Sequence, residues 1–210
     1  MTGQGQAPEI DPGTARAHRE FMIRATRWLT AERGMRQFLD IGSGIPAEPV
    51  LHRIARAAAP EAKVVYADSA PLVGQHAREL LRGTPEGSTA YVHADVTDPE
   101  SILDAPGLSD TIDLGRPVAL CVNAHLPFAA PAEHPYEMVR SLLSALPAES
   151  YLALTHTTAD FAVAARFFDG LEPAAPGLVA PHRWRPADGT PTGSGGSGTS
   201  GYAGVARKRR

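Results

Sequence analysis

The sequence predicts an α/β domain with a mostly parallel sheet, and three observations support this prediction. Short apolar runs alternate with segments of helical period along the chain, which is typical of strand–helix–strand units. Residues 117–122 are apolar throughout, as expected for a central strand that is covered on both faces. The first apolar run, Gln37–Ile41, leads directly into Gly-Ser-Gly, which predicts a sharp turn after a buried strand.

A helix over residues 14–33 opens the predicted domain. Its apolar face, recurring at helical spacing, is formed by Phe21, Ala25, Trp28 and Leu29. Gly34 follows, and glycine is favoured just past the end of a helix. Residues 1–13 are polar and rich in Gly and Pro, so we expect them to be disordered and a single domain to span residues 14–208.

The remaining elements continue this alternation. Further strands are predicted at residues 63–68, 90–95, 117–122 and 151–155, with two final strands at 178–184 and 202–206. Helices are predicted to begin at Pro49, Pro71 and Pro135, because proline is favoured at the first helical position. A short helix marked by Phe161, Ala165 and Phe168 follows the fifth strand. Residues 187–201 are rich in Gly and Ser, which predicts a flexible loop.

The composition excludes several classes of protein. The 210 residues are 43% apolar and 20% charged, as in ordinary globular domains, with a net charge of −3. That charge argues against a nucleic-acid-binding protein with a broad basic face. The single cysteine, Cys121, excludes an internal disulfide, and no apolar run approaches the roughly 18 residues of a membrane span. We therefore expect a cytoplasmic protein with no membrane partner.

Candidate ligand-binding residues follow four of the predicted strands. Asp40, Gly42, Ser43 and Gly44 lie at the end of the first strand, Asp68 and Ser69 at the second, Asp95 and Val96 at the third, and Asn123 at the fourth. In an open parallel sheet, ligands bind beyond the carboxyl ends of the strands. Glycines let a backbone approach a ligand closely, and a carboxylate after the second strand suits a ribose diol. This pattern predicts a nucleoside site.

The glycine-rich turn narrows the choice of nucleoside. A dinucleotide fold requires Gly-x-Gly-x-x-Gly with a pyrophosphate on the following helix. This chain has Gly-Ser-Gly-Ile-Pro-Ala-Glu, so the third glycine is missing and Glu48 would repel a pyrophosphate. No P-loop is present either. A ligand without phosphate fits the turn better, and an oxidoreductase that uses a nicotinamide cofactor is disfavoured.

Several motifs resemble those of a known family. Residues 38–46, FLDIGSGIP, are similar to the glycine-rich first motif of S-adenosylmethionine-dependent methyltransferases of class I. More narrowly, they resemble an actinobacterial S-adenosyl methyltransferase family once described as a domain of unknown function. Residues 64–71, VVYADSAP, are similar to its second motif. The resemblance extends from about residue 15 to residue 208.

This resemblance implies a fold, a cofactor and a set of contacts. The fold is Rossmann-like, with seven strands in the order 3-2-1-4-5-7-6, helices on both faces, and only the seventh strand antiparallel. The cofactor is S-adenosyl-L-methionine. Its methionine portion would be surrounded by Asp40, Gly42 and Gly44, its ribose held by Asp68 with Ser69 beside the adenine, and its adenine flanked by Asp95 and Val96. Arg19 stands where family members place an arginine near the cofactor carboxylate.

The chain also departs from the family pattern on the side of the acceptor. A longer N-terminal segment of the family and an extra helix after the fifth strand are both missing.

The first hypothesis, which follows from the resemblance, is a methyltransferase that acts on a small molecule, in secondary metabolism. The alternative is a protein of the same fold that binds the cofactor without transferring its methyl group. Because covering elements are missing, we expect a homodimer contact, a protein partner or a bulky substrate to close the site.

Each candidate residue also has a structural interpretation. Asp40 would satisfy backbone groups at a strand end, Asp68 would cap a helix, and Asp95 would stabilise a turn. His125, after the fourth strand, is the candidate general base, because the ordinary pKa of histidine suits proton transfer at neutral pH. The other histidines lack metal-ligand spacing, so no metal site is predicted. Cys121 is predicted to be a buried core residue.

Overall fold

The computed structural model describes residues 11–42, 44, 48–69, 73, 88–95, 97–123, 134–186 and 201–209. The helices are α1 (Pro12–Glu32), α2 (Leu51–Arg56), α3 (Pro99–Leu103), α4 (Pro106–Ser109), α5 (His134–Ala145) and α6 (Phe161–Ala165). The strands are β1 (Gln37–Ile41), β2 (Lys63–Asp68), β3 (Thr89–His93), β4 (Ala119–Val122), β5 (Tyr151–His156), β6 (Leu171–Pro173) and β7 (Tyr202–Lys208). Two 3₁₀ turns cover Arg166–Phe168 and Pro181–Arg183.

The seven strands form one sheet in the order β3-β2-β1-β4-β5-β7-β6. The pairs among β1 to β5 are all parallel, whereas β7 runs antiparallel to both of its neighbours, β5 and β6. The predicted strand order and the antiparallel seventh strand are thus confirmed. The carboxyl ends of the five parallel strands lie along one edge of the sheet.

Two apolar clusters cover the two faces of the sheet. One joins alternate residues of the central strands, such as Leu39 and Leu120, to α5 and Phe167. The other joins the intervening residues, such as Phe38 and Cys121, to α1 and α2. Cys121 is buried and free, as predicted. Because successive strand residues point to opposite faces, Asp40 projects toward the α1 and α2 face.

The predicted apolar face of α1 is buried as expected. The helix begins two residues earlier than predicted, because Pro12 occupies its first turn and the Asp11 side chain accepts a hydrogen bond from the Thr14 backbone. Residues 11–13 therefore belong to the start of the helix and not to the predicted disordered segment.

Trp184 packs against α1 and thereby joins a late segment of the chain to the first helix. It is fully buried and packs edge-to-face on Phe21 and Trp28 of α1, with ring centroids 5.2 and 5.8 Å away. The Arg24 side chain donates hydrogen bonds to the carbonyl oxygens of Trp184 and Pro181, at 2.8 and 2.6 Å. Aromatic contact and charge-assisted hydrogen bonds together fix this late segment on the first helix.

The predicted strand at residues 178–184 is wrong. Only Val179 forms an isolated bridge, with Ala203, and Pro181–Arg183 is a 3₁₀ turn. Pro181 has no amide hydrogen to donate to a ladder and suits the first position of a helical turn. The sixth strand is instead Leu171–Pro173, a three-residue edge strand, which is where a proline is tolerated in a sheet.

Two further predictions differ at their boundaries or lie outside the described residues. The helix predicted from Pro49 begins at Leu51, with Val50 as its N-cap. Of the helix predicted from Pro71, only Val73 is described, and it is helical and buried. The predicted loop lies outside the described residues except for Gly201, and so do residues 1–10.

Candidate functional site

The sheet brings three of the predicted site residues to one edge. Asp40 pairs in register with Tyr66 of β2 on one side and with Cys121 of β4 on the other. Asp68 ends β2 two residues after Tyr66, and Asn123 follows β4 two residues after Cys121. Since residues two apart in a strand share a face, Asp40, Asp68 and Asn123 cluster on the α1 and α2 side of the sheet edge.

Asp40 is a buried residue whose carboxyl group is bonded to Asn123, the residue that follows β4. It is 4% exposed, and its Oδ1 accepts a hydrogen bond of 2.8 Å from Asn123 Nδ2. Burial raises the pKa of Asp40 to about 8, and the nearby charge of Asp68 adds to the rise, while the Asn123 hydrogen bond opposes it. Near neutral pH the Asp40 carboxyl is therefore largely protonated until a cation approaches it.

Asp68 holds the glycine-rich turn. Its Oδ2 accepts a hydrogen bond of 3.0 Å from the Gly44 amide, and the residue is 8% exposed. Gly42 and Gly44 have φ angles of 65° and 64°, in the left-handed region that favours glycine. Among the described residues, a Cβ atom placed on Gly44 would meet nothing within 4 Å, so none of them fills the space beside the turn. The turn and the carboxylate thus border a space that a ligand can enter.

Hydrogen bonds with residues of β1, β2 and β3 support the backbone of these site residues. The Gly42 amide donates to the Ala67 carbonyl oxygen at 2.9 Å, and the Asn123 amide donates to the Ile41 carbonyl oxygen at 3.2 Å. The Tyr91 hydroxyl donates to the Asp68 carbonyl oxygen at 2.8 Å. The Asp68 backbone is therefore fixed from β3 while its side chain holds the turn after β1.

One contact at the start of α2 was not predicted from the sequence. The Tyr66 hydroxyl lies 3.0 Å from both the backbone nitrogen and the Nδ1 atom of His52, in the first turn of α2. Both side chains are buried. Tyr66 lies two positions before Asp68, and this was the available signal. The sequence did not show which residue the Tyr66 hydroxyl would contact.

Asp95 and Ser69 are both exposed at the same sheet edge. The Asp95 Oδ1 atom accepts hydrogen bonds from the Thr97 amide at 2.9 Å and from the Thr97 hydroxyl at 2.7 Å. These bonds lower the pKa of Asp95. The turn-stabilising interpretation of Asp95 is thus observed, and its place beside an adenine stays a prediction.

Arg19 lies in the part of α1 that reaches this edge of the sheet. Its neighbour His18 is buried, and its Nε2 atom would lie 3.1 Å from a Cβ atom placed on Gly201. The same Cβ would lie 2.3 Å from the His156 carbonyl oxygen, at the end of β5. Arg19 itself is half-buried.

Ser43, Val96 and His125 lie outside the described residues, so the predicted roles of these residues stay predictions. Among the residues that the structure describes, no cluster of three or more His, Cys, Asp or Glu side chains suits a metal ion. In the same residues, no helix combines the length and apolar character needed to cross a membrane.

Comparison with known proteins finds relatives of this chain. The family model described as S-adenosyl methyltransferase matches residues 4–165. A DUF574 family protein from Streptomyces avermitilis is 45% identical, with a TM-score of 0.87 over 92% of this chain and 83% of that chain. A candidate methyltransferase from Thermobifida fusca is 32% identical, with a TM-score of 0.84 over 95% of this chain and 84% of that chain. No curated protein matches the sequence.

More distant structures share the fold. The N-methyltransferase NodS from Bradyrhizobium japonicum, in complex with S-adenosyl-L-homocysteine, has a TM-score of 0.60 over 99% of this chain and 94% of that chain. Its sequence identity is 11%, so this likeness concerns the architecture alone.

Proposed function

The chain belongs to the S-adenosyl methyltransferase family, and from this premise we propose that it transfers the methyl group of S-adenosylmethionine to a small-molecule acceptor. The observation that carries the proposal is the Asp68 carboxylate, which is bonded to the Gly44 amide beside a space that no described residue fills. An ionised carboxylate accepts about four hydrogen bonds, so a carboxylate at this place is able to bond both the turn and the two hydroxyls of a ribose.

The described residues fit the cofactor. A buried carboxyl group, Asp40, lies on the same sheet edge as Asp68, and the methionine portion of the cofactor carries a cationic amino group. A positive charge near Asp40 would lower its raised pKa and make it an anionic partner. Asn123 already fixes the orientation of that carboxyl group. We assign the ribose to Asp68 and the methionine portion to Asp40, Gly42 and Gly44.

The protein's part in the reaction is binding and alignment. The cofactor, when bound, would supply a methyl group on a sulfonium, and the electron pair of the broken carbon–sulfur bond would stay on sulfur, so that the leaving group is the neutral thioether of S-adenosylhomocysteine. Asp68 holds the nucleoside, while Asp40, Asn123 and the glycine-rich turn hold the amino acid end. The acceptor must then be aligned with the methyl group, and a base removes its proton where the chemistry requires one. We retain His125 as the candidate base, and Arg19 as a candidate partner of the cofactor carboxylate.

We propose a small molecule as the acceptor, such as one from secondary metabolism. The net charge of −3 supports this choice over a nucleic acid, which would require a basic surface. The free, buried Cys121 gives the chain no dependence on an oxidising compartment, which supports a cytoplasmic location.

We further propose that the acceptor side is closed from outside this chain, by a second copy, a protein partner or a bulky substrate. Phe161, which follows β5, is 53% exposed and is the one large apolar side chain described as exposed among the residues that the structure covers. It packs edge-to-face on Tyr202 at 5.5 Å, where β7 begins. Phe161 therefore offers one apolar side chain to the covering surface that we propose.

The test begins with the cofactor. Mass spectrometry of the denatured protein should find co-purified S-adenosylmethionine or S-adenosylhomocysteine, and calorimetry should measure binding of both. Release of S-adenosylhomocysteine in the presence of a small-molecule extract should then report methyl transfer. Binding without any release would favour the cofactor-binding alternative, and a bound nicotinamide would contradict the proposal.

A further inference from the structure

We infer that Tyr66 is a positioning residue of the cofactor site, whose hydroxyl fixes the start of α2 and thereby the glycine-rich turn. This inference rests on the proposed function, since it assigns Tyr66 a role in holding the loop that binds the cofactor. The relevant contacts join Tyr66 of β2 to His52, which lies in the first turn of α2.

The contact between Tyr66 and His52 is reciprocal. The His52 amide donates to the Tyr66 hydroxyl oxygen at 3.0 Å, and that hydroxyl lies 3.0 Å from His52 Nδ1. A tyrosine hydroxyl has one proton to donate and lone pairs to accept. Its oxygen accepts from the His52 backbone amide, and it donates its proton to the His52 ring in the tautomer whose Nδ1 carries none.

The state of the His52 ring fits this direction of donation. Burial lowers the pKa of His52 to about 4, and the positive charges of Arg56 and Arg53 lower it further, while Glu48 opposes them. The ring is thus neutral at pH 7, and its Nδ1 atom is able to accept the Tyr66 proton. Both side chains are buried, so water does not compete for these bonds.

The first turn of α2 needs such a partner. Its N-cap residue, Val50, makes no side-chain hydrogen bond to the helix. The first amides of a helix have no partner within the helix, and an unpaired buried amide is costly. Tyr66 supplies the missing acceptor from a neighbouring strand, which ties the beginning of α2 to the sheet.

Three successive residues of β2 therefore bond to described residues at the start of α2 and just after the end of β1. Tyr66 holds His52 through its hydroxyl, Ala67 holds the Gly42 amide through its carbonyl oxygen, and Asp68 holds the Gly44 amide through its carboxylate. Loss of the Tyr66 hydroxyl should loosen the start of α2 and, through the connecting chain, the Gly42 and Gly44 amides that it does not touch.

The test uses Tyr66→Phe, with Tyr136→Phe as its matched control. Tyr136 is also buried, and its hydroxyl donates to the Val163 carbonyl oxygen at 3.1 Å, on the other face of the sheet. Both variants lose one buried hydroxyl group, which makes two hydrogen bonds in Tyr66 and one in Tyr136. Calorimetry with S-adenosylhomocysteine should show affinity about three- to tenfold weaker for Tyr66→Phe, because the loosened turn must be ordered on binding, and unchanged for Tyr136→Phe.

Hydrogen exchange gives a second result that does not depend on the ligand. In Tyr66→Phe, the Gly42 and Gly44 amides should exchange several-fold faster than in the wild type, whereas Tyr136→Phe should leave them unchanged. Equal exchange in the two variants would overturn the inference. A wild type that binds no S-adenosylhomocysteine would overturn the proposed function instead, and the exchange result would still decide the role of Tyr66.

A pair of substitutions at His52 covers the case in which Tyr66→Phe does not fold. His52→Asn keeps a side-chain acceptor close to the position of Nδ1, whereas His52→Leu removes it. We expect His52→Asn to retain wild-type exchange at Gly42 and Gly44, and His52→Leu to accelerate it. Identical exchange in both His52 variants would contradict the role of the reciprocal contact.

Discussion

Asn123 donates a hydrogen bond of 2.8 Å from Nδ2 to Oδ1 of Asp40 and thereby joins the end of β4 to β1. The two residues are also linked through the backbone, because the Asn123 amide donates to the carbonyl oxygen of Ile41. The carboxyl group assigned to the amino acid end of the cofactor is thus oriented before any ligand arrives. Because the carboxyl group is oriented in advance, less conformational entropy is lost when the ligand binds.

We expect Asn123→Ala to weaken S-adenosylhomocysteine binding by about tenfold, the effect of about 1.4 kcal/mol, because Asp40 loses its fixed orientation. Calorimetry measures the affinity. If Asn123 acts through Asp40, the effects of Asn123→Ala and Asp40→Asn should be less than additive in a double-mutant cycle. Strict additivity would show that the two residues act independently.

The raised pKa of Asp40 predicts how stability varies with pH. The carboxyl has a pKa of about 8 in the fold against 3.8 as a free side chain, so the folded chain binds more protons between these values. The free energy of unfolding should therefore fall as the pH rises from 6.5 to 8, by up to about 1.4 kcal/mol per pH unit. Urea unfolding at several pH values measures this slope.

Stability measurements above pH 6.5 separate the contribution of Asp40 from that of His52. The pKa of His52 is about 4 in the fold against 6.5 as a free side chain, so the unfolded chain binds more protons between these values. That difference makes stability fall as the pH drops from 6.5 toward 4, the opposite direction. The control is Asp40→Asn, which should flatten the slope between pH 6.5 and 8. An unchanged slope in this variant would refute the assignment to Asp40.

Asp68→Ala should weaken S-adenosylmethionine binding by about 2–3 kcal/mol, because two charge-assisted hydrogen bonds to the ribose are lost. Calorimetry gives the difference. The control is Asp98→Ala, which removes an aspartate that caps α3 by accepting from the Glu100 and Ser101 amides. The control should keep the wild-type affinity, and a folded Asp68→Ala variant that also keeps it would remove Asp68 from the site.

Phe161 allows a test of how the acceptor side is covered. If a second copy covers it, light scattering of the chain saturated with S-adenosylhomocysteine should give the mass of a dimer. Phe161→Asp should then give the mass of a monomer, because a charge in an apolar contact is costly, while cofactor affinity stays unchanged. A monomeric wild type whose own residues bury the sulfonium in a crystal structure would contradict closure from outside.

The sequence predicted the parallel part of the sheet well, because its strands are short apolar runs separated by helices of clear period. It failed at the sixth strand, whereas the last strand, predicted at residues 202–206, is present as Tyr202–Lys208. Leu171–Pro173 is too short for any alternation to be visible, and Val179 forms only a bridge. Contacts with β7, and not local propensity, decide which of these segments joins the sheet.

The sequence predicted those residues of the candidate site that lie at the ends of strands. Asp40, Asp68 and Asn123 converge because parallel strands end at one edge, and that follows from topology. The bond from Tyr66 to His52 depends on the angle at which α2 leaves its turn, and sequence spacing does not contain that angle. Side chains that hold other residues in place are therefore harder to predict than those that face a ligand.

The burial of Trp184 against α1 has a consequence for biosynthesis. A ribosome makes α1 before Trp184, so Phe21 and Trp28 on this helix obtain this aromatic contact only about 160 residues later in the chain. Until Trp184 emerges, the part of α1 that it covers in the fold is open to association with other chains. Chaperones that bind exposed aromatic side chains therefore have a defined place to act on the nascent chain.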